Sequence, residues 1–140
     1  MRIYWAAALF TTAERMFNIA MVNAILGHAQ NAVIRLPQEE LASEDIYDQN
    51  MKDLYSCDMV IAVVDGPDVD SGTAFEIGCA YAIGKKVWLI RTDFRMGGDA
   101  DDAPINLMLS RSADKQFWFD SRDVDVAKMG RDIAMDLNHG

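Results

Sequence analysis

Two carboxylates six residues apart, Asp70 and Glu76 in DSGTAFEIG, are the residues whose type and spacing invite chemistry in this chain. Glu76 stands between Phe75 and Ile77 and ahead of GCAYAIG, in apolar company on a helix expected to begin after Gly72 and to stop at Gly84. Thr73-x-x-Glu76 is a capping-box spacing, and a glutamate that only closed the helix N-terminus would need no further explanation. That reading leaves Asp70 unaccounted for, and with it Tyr4 on the strand expected nearby. The residues alone leave a cap and an active-site group both open. Asp65, Asp68 and Asp70 make the preceding loop unfit as a phosphate cradle, which needs glycine-supplied amides and a lysine. Calcium is not expected either. Asp65 and Glu76 hold the first and twelfth places of an EF-hand-length window, but Pro67 and Val69 stand where ligands belong and Gly72 comes two places late for the sharp turn.

The elements that must position these groups follow from hydrophobic periodicity. Short apolar runs alternate with helical patterns, the signature of βαβ units on a parallel sheet. Strands are expected at Ile3 to Leu9, at AVIRL (32–36) closed by Pro37, at MVIAVV (59–64), at KVWLI (86–90) and at FWF (117–119). Thr11-x-x-Glu14 opens a first helix with Phe17, Met21, Ala24 and Ile25 inward and Gly27 at its end. A second helix spans 46–56 behind a cap at Ser43, and a last one carries Val126, Met129, Ile133 and Leu137 on its inner stripe. Residues 92–104, rich in Gly and Asp, read as a loop. The expectation is one α/β domain over 1–140, a flavodoxin-like or Rossmann-like open parallel sheet of about five strands with helices on both faces. Ligands of such sheets sit outside the carboxyl ends of the strands, so the loops after Leu9, Leu36, Val64 and Ile90 are the places to search.

Composition narrows the function classes. The chain has 140 residues, 51% hydrophobic and 25% charged, which suits one domain with a full core. A net charge of −9 argues against nucleic acid as a partner, because phosphate contacts need clustered Lys and Arg. No apolar run approaches the roughly 18 residues of a membrane span, and MRIYWAAALFTTAERMF lacks a signal-peptide pattern, so a cytoplasmic protein without membrane contact is expected. Cys57 and Cys79 have no metal-site or CxxC spacing and read as reduced thiols.

Taken together and in order, RIYWAAALFTTAE, DSGTAFEIGCAYAIGKKV and PINLML resemble the nucleoside 2-deoxyribosyltransferase family. The resemblance implies a homo-oligomer, built as a dimer-based tetramer or hexamer with shared active sites. It also implies transfer of 2-deoxyribose between nucleobases through a covalent sugar–enzyme intermediate, with deoxynucleosides and free bases as partners and neither cofactor nor metal. By the same resemblance Glu76 is the nucleophile, kept ionised by the helix dipole and capping amides. Tyr4 orients its carboxylate, and Asp70 contacts substrate and helps deliver a proton to the departing base. Asn106 reaches a neighbouring subunit's sugar 5′-hydroxyl. Phe10, Gln38, Asn50, Gly72 and Met108 complete the expected substrate-binding set, with Gln38 reading a base edge. Two departures stand out. Ala6, Ala7 and Ala8 replace a glycine-containing turn, and Asn50 falls where some relatives carry a proton-donating aspartate. Hydrolysis by the same intermediate, as in deoxynucleoside 5′-monophosphate glycosidases, and a non-catalytic flavodoxin-like module are the alternatives.

Overall fold

The computed structural model describes residues 1–39 and 45–139. Within them the chain runs β1 (Arg2–Ala6), α1 (Thr12–Leu26), β2 (Val33–Arg35), a 3-10 turn (Pro37–Glu39), α2 (Ile46–Ser56), β3 (Met59–Val63) and α3 (Ser71–Ala82). It continues through β4 (Lys86–Arg91), α4 (Leu107–Arg111) and β5 (Lys115–Trp118) to α5 (Val126–His139). The strands form one sheet in the order β2-β1-β3-β4-β5, and every pairing is parallel. This is the expected flavodoxin-like order, whose topological switch lies between β1 and β3.

The period of two along each central strand divides the interior in half. Ile3 and Trp5, Met59 and Ile61, and Trp88 and Ile90 face one way, into a core with Met21, Val22 and Ile25 of α1 and Met129, Ile133 and Leu137 of α5. Tyr4 and Ala6, Val60 and Ala62, and Val87 and Leu89 face the other way, against Leu54 of α2 and Ile77 and Ala80 of α3. Tyr4 therefore lies under α3 because it occupies an even position in β1. Its hydroxyl is set in a largely apolar layer.

Several boundaries differ from the sequence reading. β1 ends at Ala6 rather than Leu9, because Ala7 to Leu9 leave the sheet to reach the cap of α1. β5 is shifted toward the N-terminus, and its Phe117 tilts against Trp88 with ring centroids 5.5 Å apart. Ser43 lies outside the described residues, and Asp45 caps α2 by accepting from the Asp48 amide. The expected capping box of α1 is present, with Glu14 accepting from the Thr11 amide at 2.8 Å. Among the described residues no helix is long and apolar enough to cross a membrane. Both cysteines are free thiols.

Candidate active site

The N-terminus of α3 resolves the ambiguity of the two carboxylates. Asp70 is the cap: its Oδ2 accepts from the Thr73 amide at 2.9 Å and from the Thr73 hydroxyl at 3.1 Å. The helix thus begins two residues earlier than expected, and the expected pairing of Thr73 with Glu76 does not form. Glu76 is the sixth residue of α3, past the reach of the free first-turn amides. Thr73, Ile77 and Ala80 are the buried stripe of the helix, and Glu76 shares their face at helical spacing. A partly buried carboxylate needs a donor, and Tyr4 supplies it. The Tyr4 hydroxyl donates to Glu76 Oε1 at 2.6 Å across 72 residues of sequence.

The electrostatics of this pair run against the expectation that the helix dipole and capping amides keep Glu76 ionised. Burial raises its pKa to about 7; the Tyr4 hydrogen bond opposes that rise, and the charge of Asp70 adds to it. Desolvation wins because the helix-terminal amides serve Asp70 instead. Burial, with the Glu76 charge behind it, also pushes the Tyr4 phenol far above its ordinary value, so Tyr4 remains a donor throughout the accessible pH range.

Asp70 opens onto a cavity of about 310 Å³ at the carboxyl ends of β1 and β3, at the switch point. Ala7, Ala8, Phe17 and Val63 give it an apolar side; Glu14, Asp65 and Asp70 give it an acidic one, and among the described residues no Lys or Arg lines it. Its volume lies at the small end of ligand sites. Asp65 does not face a cation. Its two oxygens accept from the Thr92 amide, the Thr92 hydroxyl and the Asp93 amide, which tie the β3–α3 loop to the loop after β4.

Asn18 was missed by the sequence reading. It is 2% exposed, accepts from the Trp5 indole at 3.2 Å, and donates to the Ala8 carbonyl at 3.0 Å and to Gln38 Oε1 at 2.9 Å. It fixes the β1–α1 loop where that loop walls the cavity. The signal was present: an asparagine on the inward stripe of α1, three residues before Met21 and seven before Ile25.

The other expected site residues scatter. Gln38 is engaged by Asn18 and donates to the Arg15 carbonyl at 2.8 Å, so its amide holds α1 and does not line the cavity. Phe10 is 76% exposed. Asn50 lies on α2, one turn past Tyr47, whose ring stands 6.4 Å from that of Phe75 on α3. Gly72 sits within the first turn of α3, where a Cβ would come 3.2 Å from Asp70 Oδ2. Asn106 caps α4, accepting from the Met108 amide and donating to Asp99. Met108 is exposed beside Tyr81 and Gly78 in a separate groove of about 320 Å³. The structure therefore joins Tyr4 to Glu76 within reach of the Asp70 charge; Asp70 lines the cavity, whereas neither Tyr4 nor Glu76 is among its lining residues, and Met108 stands in the separate groove between α3 and α4.

A family model described as nucleoside 2-deoxyribosyltransferase matches residues 3–108. The chain belongs to this family. Membership places it among enzymes that act on nucleosides. Solved structures extend the likeness to the fold of nearly the whole chain. A conserved protein from Enterococcus faecalis V583 is 22% identical, with 99% of this chain and 97% of that one covered and a TM-score of 0.76. A 2-deoxyribosyltransferase from Leishmania mexicana is 28% identical, with 92% and 96% covered and a TM-score of 0.67. A Clostridium botulinum CMP N-glycosidase, BcmB, is 18% identical, with 98% and 100% covered and a TM-score of 0.65. No curated protein matches the chain.

Proposed function

We propose that the protein transfers 2-deoxyribose from one nucleobase to another, with retention at C1′, through a covalent ester on Glu76. The observation that carries this reading is the 2.6 Å hydrogen bond from Tyr4 to Glu76 Oε1 on the buried stripe of a helix that Asp70 already caps. A cap would not need Tyr4, and a core position would not need the carboxylate. The hydroxyl fixes one oxygen and leaves Oε2 to attack C1′ as the bond to the base breaks, in an oxocarbenium-like transition state. The departing base takes a proton delivered through Asp70. The nitrogen of an incoming base then attacks C1′ from the opposite face, returns its proton through Asp70 and expels Glu76 as the carboxylate, and two inversions give net retention. The acidic cavity without Lys or Arg suits neutral nucleosides. Hydrolysis is the second reading, favoured by the likeness to the CMP N-glycosidase; there water takes the place of the incoming base.

Purified protein mixed with deoxyinosine or thymidine and a panel of free bases, followed by chromatography, separates the readings. New deoxynucleosides mean transfer, and free deoxyribose means hydrolysis. Glu76→Gln should stay folded and lose both, because an amide cannot form the glycosyl ester. A 2-fluoro-2-deoxyarabinosyl nucleoside should leave its sugar on the peptide holding Glu76. A folded Glu76→Gln protein working at the parent rate would overturn the assignment.

A further inference from the structure

The Gly- and Asp-rich stretch 92–104 interrupts the alternation of strands and helices, yet it is built as a buttress. The Gly97 amide donates to the Pro104 carbonyl at 3.2 Å and the Gly98 amide to the Ala103 carbonyl at 2.9 Å, which folds the loop back on itself. Gly97 lies so close to the β3–α3 loop that a Cβ there would collide with the Pro67 carbonyl. Pro67 stands between Asp65 and Asp70, two residues of the acidic wall of the cleft.

Arg91, the last residue of β4, binds the two loops together. It is 2% exposed. One terminal nitrogen, Nη1, donates to the carbonyls of Val64 and Gly66, and the other, Nη2, donates to the Arg95 carbonyl at 2.7 Å. The Arg95 guanidinium forks onto Asp93, and Asp93 Oδ2 accepts from the Gly66 amide at 3.1 Å. This circuit of Arg91, Arg95, Asp93 and Gly66 closes on itself and grips Gly66 by both of its backbone polar groups. Gly66 stands at φ +100°, a region glycine enters freely, and it lines the cleft four residues before Asp70. Burying a guanidinium is costly, and what sets it apart from other donors is a planar fork that reaches acceptors on two loops at once.

We propose that Arg91 is a positioning residue for the reaction at Glu76. Through Gly66 it sets the wall that ends in Asp70, and with it the aim of the proton that Asp70 delivers to the departing base. The inference rests on the covalent reading of Glu76 and on the proton role of Asp70, and it is the same for transfer and for hydrolysis.

Release of the base, the step those two reactions share, is the readout. It is measured with 2′-deoxyinosine and with its 7-methyl derivative, a cation whose base leaves neutral and needs no proton. Asp70→Asn sets the reference, slowing the first substrate far more than the second. Arg91→Lys keeps a cation but gathers its donors on one atom, and Asp93→Ala frees the Gly66 amide without touching a residue that lines the cleft. Each should lower kcat for deoxyinosine by about tenfold, the scale of a small misplacement of a catalytic group, with KM within about threefold and the 7-methyl substrate slowed by less than about threefold. In Arg91→Lys the Gly66 amide, still opposite Asp93, should exchange its hydrogen about tenfold faster, while amides paired between β3 and β4 keep the parent protection. Where Arg91→Lys fails to fold, Asp93→Ala alone decides. Equal slowing of both substrates with loosened β3 and β4 amides would reduce Arg91 to a structural role and overturn the proposal. Variants that match a base-releasing parent would overturn this proposal alone, whereas a parent that releases no base would overturn it together with the Glu76 reading.

Discussion

A carboxylate on the buried stripe of a helix is a liability that the fold retains at Glu76, and its proton makes that measurable. In the proposed mechanism the anion is the attacking form, so kcat/KM should rise with pH along a limb near 7, to which burial pushes the Glu76 carboxyl. Tyr4→Phe keeps the ring in its layer and removes the one hydrogen bond that lowers the Glu76 pKa. The limb should move to higher pH, and activity at pH 7 should fall by about tenfold or more, since each unit of pKa is a factor of ten. An unmoved limb would mean that Tyr4 does not hold the reactive carboxylate. Stability carries the same signature with a definite sign. The folded state keeps the Glu76 proton up to about 7, whereas the unfolded chain releases it near the ordinary 4.5. Between those values the native state binds more protons, so this group lowers stability as pH rises through the window. Glu76→Gln removes the slope. Relative to the parent it should gain about 2–3 kcal/mol between pH 4 and pH 8 in denaturant titrations. Sequence singled out Asp70 and Glu76, but not which one capped the helix. Both spacings, Asp70 to Thr73 and Thr73 to Glu76, satisfy local capping rules, and the choice was made by Tyr4, a residue far away in the chain.

The central strands and long helices were legible because their pattern is redundant, with each strand buried on both faces and each helix carrying an apolar stripe. The short elements were not. α4, with five residues and no buried side chain, and the 3-10 turn over Pro37–Glu39 have too few residues to show a period. Contact between elements was also hidden, and α1 against α5 is the sharpest instance. Gly130 lets the two helices approach so closely that a Cβ there would stand 2.7 Å from the Ala24 carbonyl carbon. Alanine normally favours a helix over glycine by about 1 kcal/mol, yet Gly130→Ala should destabilise the protein by roughly 1–3 kcal/mol, because the added methyl meets backbone that cannot step aside. Thermal unfolding checks the sign. A stabilised Gly130→Ala protein would mean that α1 and α5 pack more loosely than this. The same contact supports the cleft indirectly, since α1 carries Asn18 on the face it turns toward the sheet.

At the scale of the whole molecule, charge and surface each predict a behaviour. A 5′-phosphate would bring two negative charges to a cleft walled by Glu14, Asp65 and Asp70. Arg15, next to Glu14 in sequence, donates to the Gln38 carbonyl, and Arg91 and Arg95 are engaged with carbonyls and with Asp93. A charge pair about 8 Å apart costs roughly 2 kcal/mol at an effective dielectric of about 20, so thymidine should outrun its monophosphate by at least about tenfold in kcat/KM. Equal rates would favour the nucleotide-hydrolase reading. The surface prediction concerns assembly. Tyr47 and Phe75, in contact across α2 and α3, are 62% and 49% exposed, and Tyr81 and Met108, in the separate groove between α3 and α4, are 62% and 77% exposed. Exposed apolar side chains on α2, α3 and α4 are expected to be covered by a second copy of the chain, which would bring a neighbour's α4 toward the site. Glu76→Ala and Asn106→Ala should then each be inactive alone, yet mixed under exchange conditions they should regain part of the parent rate, because one hybrid site holds both native residues. Asn106→Asp controls for the lost cap of α4, which costs about 1 kcal/mol in Asn106→Ala and which aspartate restores. A fully active monomer by light scattering, or a mixture as dead as its parts, would show that each chain completes its own site.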